Sequence, residues 1–383
     1  MNKKIFFFLL LILTIFCLTS VDTKAVEIVQ LDFSKDAKSS CLIDAKTNTV
    51  IFEKNKDEKL APASMTKVMT MIIVMENISK NKLNYNDMVT TPKEAAELGG
   101  SQIYLSTGEQ MSVNDLLKSM CIASANDAAL TLAIHIGGTE KNFVKMMNET
   151  ALLLNLKNTH FVNAYGFDDP DHYTSSYDMA IMASHLINNY PEILNYTSIY
   201  EDYVREDTEK RFWLVNTNKL VKFMNGVDGL KTGWTEDSGY CLTATISKNN
   251  ERFIAVSMGN STPAIRNQEV TELLNYAVNN YHTTFLYKKG DIIKEIKDKQ
   301  YHPNYISLQL EKDVVILKNK TNALENFYYK EHINILNNES YIDVYYNNEF
   351  YSRVNLITIN KVHKATLWEL FLDILKELFL ITK

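Results

Sequence analysis

From Val68 to Met75 the chain carries Val68, Met69, Met71, Ile72, Ile73, Val74 and Met75, with only Thr70 between them. A helix apolar on every side has no face to offer water, so it must run through the middle of a domain with other elements packed around it. Pro62 marks the entry, as proline commonly does at a helix start, and the run ends near Asn77. Ser64 and Lys67 sit at that entry, three residues apart on one face, so their side chains can meet. A serine hydroxyl is a poor nucleophile until a base takes its proton. Lysine becomes such a base only when burial or a second cation lowers its pKa. The same Ser-x-x-Lys spacing recurs at Ser79 and Lys82, but within the polar stretch Ser79-Lys80-Asn81-Lys82, where it reads as a serine cap with a surface lysine.

Two further motifs follow in order. Ser124-Ala125-Asn126 lies among small residues that permit close approach of helical segments. Alone the pattern is weak, since Ser-x-Asn recurs at Ser79, Ser112 and Ser247. Beside Ser64 it supplies a second hydroxyl to return a proton to a leaving amine, and Asn126 to brace Lys67 and a substrate amide. Lys231-Thr232-Gly233 occurs once. It reads as an edge strand: Lys231 and Thr232 suit a carboxylate, Gly233 permits close approach by a ligand, and a strand edge can bind an extended peptide.

The chain around these motifs alternates helix and strand patterns from about residue 36 to 282. Ser40 to Phe52 reads as a strand pair turning near Thr47-Asn48, and Asn114 to Ile136 as one helical stretch. Gly239 to Met258 reads as two strands joined at Lys248-Asn249-Asn250, and Asn267 to His282 as a closing helix. Helices interrupting an antiparallel sheet give an α+β body, here expected over 26–282. Over 283–361 the pattern turns to alternation, as in Ile306, Leu308 and Leu310, with a hairpin turn at Asn347-Asn348, and predicts a small β-sandwich.

Both ends carry membrane signals. Lys3 and Lys4 precede the apolar run Ile5 to Leu18, and Thr23-Lys24-Ala25 offers small residues for cleavage, so residues 1–25 read as a secretory signal peptide. The run has 14 residues, short of the roughly 20 a spanning helix prefers. At the other end, over 362–383, Leu367, Trp368, Phe371, Ile374, Leu375, Leu378 and Phe379 oppose Glu369, Asp373, Lys376 and Glu377. Four charges forbid a membrane span, but so amphipathic a helix can lie in the membrane interface; the competing expectation is a helix packed on its own protein.

The formal net charge is −6, and −8 once Lys3, Lys4, Asp22 and Lys24 leave with the leader, which argues against a nucleic-acid partner. Cys41, Cys121 and Cys241 are too few and scattered for a disulfide scaffold, and are expected to pack as small buried residues. No histidine pair has zinc-hydrolase spacing, so a metal hydrolase is not expected.

With Ser64-x-x-Lys67, Ser124-x-Asn126 and Lys231-Thr232-Gly233 in this order, the chain resembles the D-alanyl-D-alanine carboxypeptidases among low-molecular-mass penicillin-binding proteins, the S11 peptidases. The segments Phe161-Val162-Asn163 through Gly166-Phe167-Asp168-Asp169-Pro170, His172 through Ala180, and Asn216-Thr217-Asn218 extend the likeness. Tyr165, Phe167 and Trp234 depart from it in bulk or type. The resemblance implies a serine β-lactamase/transpeptidase-like catalytic domain followed by the β-rich domain and tail. It implies that Ser64 attacks the carbonyl between two terminal D-alanines of a peptidoglycan stem peptide. Lys67 acts as base, Ser124 relays the proton, and Lys231 and Thr232 hold the carboxylate. The backbone N–H groups of Ser64 and Trp234 form the oxyanion hole. It further implies covalent inhibition by β-lactams and no need of a cofactor; the apolar stripe of the tail is expected to hold the enzyme peripherally on the outer face of the cytoplasmic membrane. A β-lactamase shares these motifs, but the Glu-x-x-Leu-Asn segment of class A enzymes is absent: Glu192-Ile193-Leu194-Asn195 is one residue short. A non-catalytic wall-binding or β-lactam-sensing protein is the other alternative.

Overall fold

The computed structural model describes residues 32–320, 327–337 and 339–380; the expected leader, residues 1–25, lies outside them. Strands β1 (Ser39–Asp44), β2 (Val50–Lys54), β3 (Val227–Thr235), β4 (Gly239–Lys248) and β5 (Glu251–Asn260) form one antiparallel sheet in the order β2-β1-β5-β4-β3. The β4–β5 hairpin closes through Asn249 and Asn250, both at positive φ (57° and 64°), the backbone that matches the twist of paired strands. β3 pairs only with β4, so it is the sheet edge the sequence predicts.

Alternation along the strands sends side chains to both faces. Cys41, Ile43, Ile254, Val256 and Met258 join a core with helices α1 (Lys67–Ser79), α2 (Val113–Ile122), α3 (Asn126–Gly137), α4 (Glu140–Leu153) and α5 (Ser176–Asn189). The intervening Leu42, Phe253 and Ala255 are buried on the other face, where α6 (Pro263–Asn280) packs with Val270, Leu273 and Leu274. All of Lys67 to Met75 is buried, as the unbroken apolar run requires. Cys41, Cys121 and Cys241 are buried free thiols.

Three local expectations change. The stretch Asn114 to Ile136 is not one helix but α2 and α3, broken at Ser124, whose φ of 63° cannot continue a right-handed helix. Ser64 lies not in an α-helix but in a 3₁₀ turn, Ala63–Thr66, that leads into α1. The closing helix starts at Pro263, because the Thr262 hydroxyl accepts from the Ile265 N–H and caps it.

Beyond α6 the chain enters β6 (Tyr281–Tyr287) directly, so the division expected at 282/283 falls inside a strand. β6 pairs with β9 (Val314–Asn319). β7 (Ile292–Lys297), β8 (Tyr305–Leu310), β10 (Phe327–His332), β11 (Tyr341–Tyr346) and β12 (Glu349–Thr358) form a second sheet in the order β7-β8-β12-β11-β10. Leu308, Leu310, Val314, Ile342, Val344, Val354 and Leu356 make its core. Asn347 and Asn348, at φ 50° and 69°, turn the β11–β12 hairpin. Helix α7 (Leu367–Leu380) follows.

Candidate active site

The 3₁₀ turn carrying Ser64 is gripped from two sides by backbone. A Cβ on Gly166 would stand 1.9 Å from the Ala63 carbonyl oxygen, and Gly166 has φ +100°. A Cβ on Gly233 would stand 2.7 Å from the Pro62 oxygen. Glycine at both places lets a loop and the edge strand β3 close on the serine.

In a 3₁₀ turn residues i and i+3 align along the axis, which aims Lys67 at Ser64. The Lys67 Nζ lies 2.9 Å from the Ser64 Oγ, 2.6 Å from the Asn126 Oδ1 and 2.8 Å from the Tyr165 carbonyl oxygen. Burial, reinforced by the Lys231 charge and opposed by Asp127, holds the Lys67 amine well below the ordinary lysine range. A neutral amine has two N–H groups and one lone pair. In that neutral form, with the N–H groups given to Asn126 and Tyr165, the lone pair is left for the Ser64 hydroxyl.

Asn126 is itself held. Its Nδ2 donates to the Gly99 carbonyl (2.9 Å) and its backbone N–H to the Ser101 carbonyl (2.7 Å). The buried Asp127 carboxylate accepts from the N–H groups of Ile103, Leu105 and Ala128, pinning the 99–105 loop to the start of α3. Ser124 sits two residues before Asn126 in the α2–α3 turn, nearly buried, and its Oγ has no hydrogen-bond partner among the described residues. A hydroxyl left without a partner in a polar site is available to a ligand.

On β3, Lys231 is buried and its Nζ donates to the Thr232 carbonyl at 2.9 Å. Burial pushes its pKa down to about 7, with Arg266 adding to the effect and Cys121 opposing it. The Thr232 hydroxyl donates to the Thr217 Oγ1 at 2.7 Å. Trp234 is half-exposed at the strand end, its ring 5.9 Å from that of Tyr240. The alternative pair does not assemble: Ser79 and Lys82 are both exposed.

Sequence reasoning missed the groups that hold these side chains. The Tyr165 carbonyl on Lys67 is a backbone atom, indifferent to residue type; the bulk of the Tyr165 ring packs instead against Phe167, 4.9 Å away edge to face. Asn163 shapes that loop, its Oδ1 accepting from Gly166 N (2.6 Å) and Phe167 N (3.2 Å). The signal for it was legible as an Asn three residues ahead of a glycine, a turn pattern. Thr217 and His172 lie in segments that carry the family likeness, but nothing in the local pattern announced their partners, Thr232 and Thr66.

A serine hydroxyl beside a buried amine whose pKa is held low, with a second hydroxyl and a buried lysine nearby, is the equipment of serine acyl transfer. The family model for D-alanyl-D-alanine carboxypeptidases, peptidase S11, matches residues 24–262. The D-alanyl-D-alanine carboxypeptidase DacF of Bacillus subtilis is 48% identical over 289 residues, 76% of this chain and 74% of that protein. DacC of Escherichia coli is 37% identical over 65% of this chain and 63% of its own length. Penicillin binding protein 5 from Haemophilus influenzae superposes with a TM-score of 0.77 at 29% identity, over 86% of this chain and 98% of that structure. Penicillin-binding protein D2 from Listeria monocytogenes, solved in its ampicillin-bound form, superposes with a TM-score of 0.58 at 30% identity, over 65% of this chain and 99% of that one. The chain belongs to the peptidase S11 family of D-alanyl-D-alanine carboxypeptidases.

Proposed function

We propose that the protein is a serine-type carboxypeptidase that removes the terminal D-alanine from peptidoglycan stem peptides through an acyl-enzyme on Ser64. The observation that carries this is the Lys67 amine, buried, 2.9 Å from the Ser64 Oγ and with its N–H groups already engaged. Lys67 takes the Ser64 proton as the Oγ attacks the carbonyl carbon of the penultimate D-alanine. The N–H groups of Ser64 and Trp234 stabilise the oxyanion, and one such donor is typically worth about 10²–10³ in rate. The C–N bond then breaks, Ser124 passes a proton to the leaving amine, and water hydrolyses the ester. Asn126 orients Lys67 and the substrate amide; Lys231, Thr232 and Gly233 receive the D-alanine carboxylate along the edge of β3. Glu192, the nearest approach to a class A deacylating glutamate, is exposed on the turn Pro191–Ile193, which favours the carboxypeptidase over a β-lactamase. Turnover separates the enzyme from a non-catalytic wall-binding or sensing protein.

The protonation of Lys231 gives a pH signature. Its amine is cationic below about 7 and neutral above, and only the cation attracts a carboxylate. The expected kcat/KM therefore falls as pH rises through the free-enzyme value, approaching tenfold per pH unit. The bound carboxylate raises the Lys231 pKa, so kcat holds to higher pH. A pH–rate profile on a D-Ala-D-Ala peptide checks this, and a flat kcat/KM from pH 6 to 9 would refute it.

Helix α7 supports a peripheral membrane position. Leu367, Trp368, Phe371, Ile374, Leu378 and Phe379 are exposed. The acids of the polar face are engaged within the protein: Glu377 pairs with Lys299 at 2.6 Å, Glu369 accepts from Thr366 and lies 3.1 Å from the His363 Nε2, and the Asp373 Oδ1 lies 3.8 Å from the Lys376 Nζ. The apolar stripe is thus the side left open, and the acids of the polar face are each held by a partner on the protein. No helix among the described residues is long and apolar enough to cross a membrane. The stripe lies in the outer leaflet of the cytoplasmic membrane, below an exported enzyme. Incubated with pentapeptide muropeptides, both the mature protein and a form lacking 365–383 are expected to remove one D-alanine, identified by mass. Only the longer form sediments with lipid vesicles, and does so in high salt. Unchanged muropeptides would sink the carboxypeptidase; equal sedimentation would sink the anchor.

A further inference from the structure

A buried hydrogen-bond chain outside the three motifs ends on the peptide that carries Ser64. The Val162 N–H donates to the His172 Nδ1 at 3.0 Å, so the ring proton of the neutral imidazole sits on Nε2. That Nε2 lies 2.8 Å from the Thr66 Oγ1, and the Thr66 hydroxyl donates to the Ala63 carbonyl at 2.8 Å. The hydroxyl has one proton and gives it to Ala63, so it must accept from His172. Every proton in the chain therefore has a defined direction. Ala63, Thr66 and His172 are all buried. Burial pushes His172 down to about 4, with Asp169 opposing and His160 adding, so the imidazole is neutral at ordinary pH.

The end of the chain matters because Ala63 has φ +47°, a left-handed conformation disfavoured for a residue with a Cβ and retained only where the surroundings fix it. The Ala63 carbonyl and the Ser64 N–H belong to one trans peptide plane and point in opposite directions. Drawing the carbonyl towards Thr66 in the interior turns the Ser64 N–H the other way, and no acceptor among the described residues takes that N–H.

We propose that His172, acting through Thr66, is a positioning residue for the oxyanion hole: it locks the Ala63–Ser64 peptide with the Ser64 N–H facing the substrate carbonyl. The inference rests on the Ser64 acyl-enzyme reading. Its consequence is kinetic and selective. The oxyanion exists only in the transition state and intermediate, so loosening this peptide slows acylation and leaves the pre-covalent complex intact.

Thr66→Val keeps the shape of the side chain and removes the hydroxyl; Thr66→Ser keeps the hydroxyl. Stopped-flow acylation by a chromogenic cephalosporin separates the pre-covalent dissociation constant from the acylation rate constant. Thr66→Val is expected to lower the rate constant about 10–100-fold with the dissociation constant within about twofold, and Thr66→Ser to restore the rate to within about threefold of the parent. An acylation rate for Thr66→Val within twofold of the parent, or the full loss shared by Thr66→Ser, overturns the proposal. If Thr66→Val does not fold, His172→Gln, which keeps an N–H near the Nε2 position, is compared with His172→Leu, which does not; equal acylation rates overturn it. Mass mapping of the drug on the parent protein is run alongside. A label on Ser64 with unaffected variants defeats this inference alone, whereas a label elsewhere defeats the acyl-enzyme reading beneath it.

Discussion

Treated with a β-lactam, the mature protein is expected to carry one covalent label, on Ser64, and Ser64→Ala is expected to carry none. The drug presents a strained amide in place of the D-Ala-D-Ala bond, and ring opening leaves an ester on the attacking oxygen. Ser64 is the hydroxyl beside the Lys67 amine, at 2.9 Å, whereas Ser79 is exposed on the last turn of α1 with its hydroxyl donating to the Glu76 carbonyl. Without the nucleophile the covalent route is gone, and the expected loss of peptide turnover is about 10⁴-fold or more. Alanine at 64 also leaves the apolar run of α1 intact, so the variant folds and the loss reads as chemistry. Peptide mapping that places the label on Ser79 or Ser124 would overturn the assignment.

Lys67→Ala is expected to reduce acylation by about 10²–10⁴-fold, while Lys82→Ala stays within about twofold of the parent. Both lysines stand three residues after a serine. Only Lys67 is buried, its pKa held well below the ordinary lysine range, and fixed by Asn126 and Tyr165 beside a hydroxyl. Lys82 is exposed in the turn that follows α1, with no such environment. Acylation rates of the two variants, measured with the same cephalosporin, check this; equal losses would mean that the environment of Lys67 carries no part of the reaction.

The local arrangement was legible because it depends on near neighbours. The spacing of Ser64 and Lys67, the apolar run behind them and the asparagine turns at Asn249-Asn250 and Asn347-Asn348 are set within a few residues, where side-chain periodicity and backbone preference act directly. The edge position of Lys231-Thr232-Gly233 was legible through its glycine. The break at Ser124 was not. Helical periodicity runs on through Asn114 to Ile136, and what ends it is Asn126 being tied to Gly99, Ser101 and Lys67, partners from remote parts of the chain.

By itself, then, the sequence singled out Ser64, Lys67 and Lys231 as candidates and carried the α+β body with a β-rich unit after it and the amphipathic character of the tail, since each follows from residue type and short-range periodicity. Only the tertiary structure decided which atoms surround them. It placed the Tyr165 carbonyl on Lys67, brought the Gly166 and Gly233 backbones against the Ser64 turn, ran a proton-ordered chain from His172 to Ala63, and turned Glu377 and Glu369 of α7 onto Lys299 and His363. Those are contacts of backbone atoms and of residues far apart in the chain, and no local pattern encodes them.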